Sequence, residues 1–161
     1  MKKFVMMTMA AMAFVMSLSS CSKDDDDNKV EAVATQVAGS YSGNEVVMVM
    51  GEESSNDTKT YVFAKASDTS VDLTIPEMGM GGHMSIPALP VKNIALTKSG
   101  NTITGKLDSY EGVVTNASGD EKNYTISNIA LVFSDKTIAV TFSLKYGNMP
   151  MTMDTTFSGT K

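Results

Sequence analysis

The chain has 161 residues, 42% hydrophobic and 19% charged, with a formal net charge of −5, enough for one modest domain and a leader. Its basic residues are all lysine. Without arginine, the preferred bidentate partner for phosphate and guanine, an acidic chain is a poor binder of nucleic acid. A single cysteine and a single histidine exclude disulfides, four-cysteine zinc sites and most nucleophile–base pairs.

Lys2-Lys3 precedes an apolar run, Phe4 to Met16. The run is shorter than the roughly 20 residues a spanning helix needs, and its basic start reads as a signal peptide over residues 1–20, helical while it lasts. Leu18-Ser19-Ser20-Cys21 resembles a lipobox, and the only cysteine sits at the cleavage point. The resemblance implies that Cys21 carries a diacylglyceryl and a palmitate-type acyl anchor into the membrane. Ser22-Lys23 and the run Asp24 to Asp27 follow. Contiguous carboxylates repel and stay solvated, so residues 21–36 are expected to form a disordered acidic tether. The run is also similar to the lipoprotein export signal of Bacteroidetes, which implies an outer-membrane protein at the cell surface. A charged spacer is the simpler reading of the same residues.

The domain is expected over residues 37–161. Gly39 to Gly43 leads into Glu45–Met50, an apolar strand; Gly51 to Asp57 reads as a polar turn, and Thr58–Ala66 as the next strand. Val71–Ile75 alternates cleanly. Pro76 to Pro90 holds three prolines and three glycines, so it reads as a long loop or an irregular edge. Val91–Lys98, a turn at Ser99-Gly100-Asn101, Thr102–Leu107 and a short Tyr110–Thr115 continue the series. Tyr124 and Ile126 share one parity; Ile129, Leu131 and Phe133 share the other. That switch at Ser127-Asn128 predicts a β-bulge. Ile138, Val140, Phe142, Leu144 and Tyr146 then alternate with polar residues, Gly147-Asn148 offers a turn, and Met149, Met151, Met153, Thr155 and Phe157 alternate back.

No helical period occurs outside the leader. Eight to ten short strands joined by tight turns predict an all-β antiparallel up-and-down meander. Such a sheet removes its edges by closing, with the Tyr41 strand beside the Phe157 strand, into a barrel of about eight strands. The mature chain resembles the calycin-like β-barrel lipoproteins of Bacteroidales. The residues that carry the likeness are Gly39-Ser40-Tyr41-Ser42-Gly43, Met78-Gly79-Met80-Gly81-Gly82, Gly147-Asn148-Met149-Pro150-Met151 and Phe157 to Lys161. The resemblance implies a lipocalin-like barrel. Gly39-x-Tyr41 differs from the Gly-x-Trp of lipocalin first strands, and no arginine is present to stack there, so lipocalin ligand chemistry is not implied.

Chemistry is sparse. His83 with Ser85 lacks a nucleophile-elbow motif, and the paired acids Glu52-Glu53 and Asp120-Glu121 lie in turn-like stretches, so no enzyme and no cofactor are expected. Eight methionines remain beyond the leader. Methionine fills irregular interiors well, and it also lines adaptable apolar pockets. The predicted site is a barrel mouth lined by Met48, Met50, Tyr146, Met149, Met151, Met153 and Phe157, covered by the loop that bears Met78, Met80 and Met84. Its ligand would be small and apolar or amphipathic. A filled barrel serving as an envelope protein-interaction subunit is the alternative. A further one is Cu(I) or Ag(I) on Met78, Met80, His83 and Met84, because thioethers and imidazole suit soft ions. Asp154-Thr155-Thr156 resembles the O-glycosylation sites of Bacteroidetes.

Overall fold

The structure is a computed structural model that describes residues 30–80 and 84–161. The signal peptide, Cys21, the acidic run and His83 lie outside the described residues. Residues 32–161 form a compact unit of one short helix, α1 (Val33–Val37), and ten strands: β1 (Gly39–Val49), β2 (Glu52–Ser67), β3 (Ser70–Ile75), β4 (Met78–Gly79), β5 (Ser85–Ile86), β6 (Leu89–Ser99), β7 (Thr102–Thr115), β8 (Glu121–Ser134), β9 (Thr137–Tyr146) and β10 (Met153–Thr160).

Eight of these strands close an antiparallel barrel in the order β1-β10-β9-β8-β7-β6-β3-β2, and β4-β5 forms a separate two-stranded ladder. The expected neighbours meet: β1 pairs with β10 from Ser42↔Thr160 to Val49↔Met153. Small residues make the seam close. Gly43 lies opposite Gly159, and a Cβ at Gly43 would run into the backbone of Ser158 and Gly159. The parity switch in β8 is a register shift between Ser127 and Ala130, with Asn128 at a φ of 55°; the bulge turns both Ile126 and Ile129 inward.

Four expectations change. The tether does not run to Gln36: Val33–Val37 forms a helical turn, Ala34 and Val37 are buried, and Ala34 N–H donates to the Asp68 carbonyl at 3.1 Å. These small apolar residues cap one barrel end, and five residues are too few to show a helical period. The polar stretch from Glu52 is strand rather than turn, because it pairs with β1 as far as Val49↔Glu52. Leu107 and Tyr110 belong to one continuous β7. The last strand begins at Met153 rather than Met149, since Pro150 lacks the N–H a ladder needs.

Alternate residues fill the barrel. Tyr41, Phe63 and Phe133 make edge and tilted contacts with centroids 5.2–5.7 Å apart, and Tyr61 stacks on Phe157 at 4.0 Å. Leu73, Ile75, Leu131, Val140 and Leu144 complete a continuous core.

Candidate functional site

Because the strands run up and down, their connections sort to two ends. The β2–β3, β6–β7 and β8–β9 turns gather with α1 at one end. There Tyr41 Oη donates to the Val37 carbonyl at 3.0 Å, and the Lys161 ammonium lies 5.9 Å from the Tyr41 ring centre. The β1–β2 turn, the 76–88 segment, the β7–β8 turn and the β9–β10 loop gather at the other. This second end carries all three methionine clusters and is the mouth.

Residues 76–80 and 84–88 close it. Met78 pairs with Ile86, both side chains are buried, and Met80 N–H donates to the Met84 carbonyl at 3.0 Å. Glu77 accepts a bond from Ser85 Oγ, and the Glu77 carbonyl accepts one from Lys59 Nζ at 2.7 Å. Met80 and Met149 pack half-buried against the core. A strut ties the wall beside this plug. Tyr124 Oη donates to the Pro90 carbonyl, and its ring passes over Gly112, where a Cβ would overlap it. Burial and the neighbouring Tyr110 push the Tyr124 phenol up to about 12.

The methionines divide. Met78 and Met153 are interior, but Met50, Met84 and Met151 are 83%, 54% and 38% exposed, and Met48 lies on the outward parity of β1, half-buried. Met48 and Met50 therefore do not line the interior. Met50 sits in the turn with a φ of 53°, and Met151 sits in the β9–β10 loop, where strand alternation does not hold. Phe157 belongs to the packed centre, not the mouth. Met78 is buried and Met84 is exposed, and His83, the imidazole of the soft-metal alternative, lies outside the described residues; among the described residues no group of three His, Cys, Asp or Glu side chains could hold a metal ion. Thr155 is interior too, which removes it as an acceptor for glycosylation.

Two open depressions flank the mouth. One, of about 570 Å³, runs between Met84 and Met149 over Tyr146, with Glu121, Lys122 and Asn123 on its polar side. The other, of about 360 Å³, joins Met50 to Met151 beside Pro150 and Lys145. Tyr146 is buried and its hydroxyl has no hydrogen-bond partner among the described residues; burial raises its pKa. A larger depression of about 630 Å³ at the α1 end is lined chiefly by polar groups such as Gln36, Lys98 and Asn101, and no methionine lines it. The mouth is the better candidate.

One interior feature escaped the sequence reading. Glu45 is 1% exposed and accepts a hydrogen bond from Tyr61 Oη on Oε2 at 2.6 Å, while its Oε1 and the Thr155 hydroxyl have no partner among the described residues. Burial raises the Glu45 pKa, opposed by the Tyr61 bond and by Lys59. Parity held the signal, since Glu45 shares the face of Tyr41 and Val47.

No curated protein sequence matches the chain. A solved structure of a "putative outer membrane protein" from Bacteroides fragilis superimposes with a TM-score of 0.63 at 20% identity over 82% of this chain. This chain spans only 54% of that one, and the likeness shows a shared fold. The sequence profile of the calycin-like beta-barrel domain matches residues 37–160. The chain belongs to the calycin-like beta-barrel domain family.

Proposed function

We propose that this protein is a non-catalytic binding module of the outer membrane, tethered by lipid on Cys21 and facing the cell surface, whose methionine-rimmed mouth takes a small amphipathic ligand. The observation that carries the reading is the depression of about 570 Å³ between Met84 and Met149, which Tyr146, Lys122 and Asn123 also line. Thioether side chains adapt to apolar shapes, and Lys122 with Asn123 supplies the few polar groups that orient a guest. The ligand lies at the mouth rather than deep inside, because aromatic and aliphatic side chains occupy the barrel centre. The leader and acidic run support the address, as does the likeness to the "putative outer membrane protein" of Bacteroides fragilis.

Native mass spectrometry of the purified mature chain with dodecanol and laurate tests this. Retention of either at one per chain, lost in a Met84→Lys, Met149→Lys variant, supports the mouth. Retention of neither rejects it.

A second reading draws on the filled interior and on the outward thioethers of Met50, Met84 and Met151 at one end. In it the mouth docks an envelope protein. Cross-linking on intact cells through photoreactive groups at positions 50 and 151 would return a reproducible partner, and its absence counts against that role.

A further inference from the structure

Strand β2 is longer than the strand beside it. It pairs with β1 along its whole upper half, to Val49↔Glu52, but with β3 only from Val62↔Thr74 downward. Continuing that register would set Pro76 opposite Thr60. Proline has no N–H to give a ladder, so the chain leaves the sheet at Pro76 and turns Met78 inward. From Glu52 to Thr58 the side of β2 away from β1 has no ladder partner among the described residues, and the segment is exposed but for a half-buried Ser55.

An open strand edge is a template for another strand. Its charges decide which one. Glu52, Glu53 and Asp57 lie along it, and Lys59 at its lower end is turned to the Glu77 carbonyl. A second copy of this chain would set these carboxylates against themselves, which opposes edge-to-edge self-pairing. The same carboxylates complement lysine or arginine.

We propose that the Glu52–Thr58 edge of β2 is a strand-docking site for a basic, extended segment of a partner protein. Backbone hydrogen bonds supply the attachment and the carboxylates supply the choice. This surface is separate from the methionine depressions and does not depend on them.

The test uses the mature chain and three seven-residue Lys/Thr/Val peptides: the basic one, its Glu-for-Lys counterpart, and the basic one N-methylated at alternate residues. Backbone amide shifts follow binding at low salt. The basic peptide should bind at least about tenfold tighter than the acidic one, shift Glu52–Thr58, and lose its affinity on N-methylation. An E52K/E53K/D57K variant should reverse the preference. The proposal is overturned if the N-methylated peptide binds as well, which would mean charge attraction without strand addition. Shifts centred elsewhere, no binding of the basic peptide, or self-association of the chain through this edge would overturn it equally.

Discussion

Tyr61 and Phe157 stack with ring centres 4.0 Å apart and planes 18° from parallel, although they lie on strands nearly a hundred residues apart in sequence. Both strands flank β1, so the stack spans the seam where the first and last strands meet. Closure of the barrel and filling of its centre are thus one event. Truncating a buried phenylalanine costs about 3–5 kcal/mol. Phe157→Ala should lower the chemical-denaturation midpoint by a corresponding amount without changing the m-value much. A loss below about 1 kcal/mol would mean that the stack does not hold the seam.

Glu45 gives the fold a pH dependence of defined sign. Burial holds its folded pKa above the ordinary value of 4.5. The unfolded chain therefore ionises first, and stability falls as pH rises from about 4.5 through the folded pKa. The slope reaches at most about 1.4 kcal/mol per pH unit for one proton. Glu45→Gln should flatten this limb in urea titrations between pH 4 and 8, while a limb of unchanged steepness would assign it to another group.

The Tyr124 strut crosses the inner face where Gly112 leaves room. Gly112→Ala should cost about 1–3 kcal/mol through overpacking. Tyr124→Phe should cost less, about 1 kcal/mol for the bond to Pro90. Thermal melts that rank these two variants the other way would contradict the contact.

Tyr146→Phe tests a hydroxyl that the fold buries. Its hydroxyl is buried with no partner among the described residues, so removing it should leave the free protein as stable or about 1 kcal/mol more stable. Destabilisation of the free protein would show instead that the hydroxyl serves the fold.

Much of the barrel is legible in alternation. β9 reads directly because Ile138 through Tyr146 face inward in turn, and the bulge at Asn128 shows as a change of parity. Alternation fails where the chain leaves the ladder. Met149 and Met151 continue the pattern on paper, yet Pro150 keeps them in a loop, and Met50 lies beyond the end of β1. The convergence of the methionines at one end follows from up-and-down topology; which of them face inward depends on where each ladder stops. Polar composition hid the upper half of β2, because pairing with β1 stabilises residues whose own strand preference is weak. Glu45 was hidden by type, since a charged residue is taken for surface unless its partner is known; Tyr61 is sixteen residues away in the chain.

The central claim is that guests bind at the methionine rim over a filled barrel. Methyl-labelled methionine spectra of the mature chain, titrated with dodecanol or laurate, address it most directly. The account predicts saturable shifts at Met84 and Met149, with Met153 and the Tyr61–Phe157 rings unmoved. Shifts centred on Met153 and those rings, with the rim unchanged, would place the guest inside the barrel and contradict it.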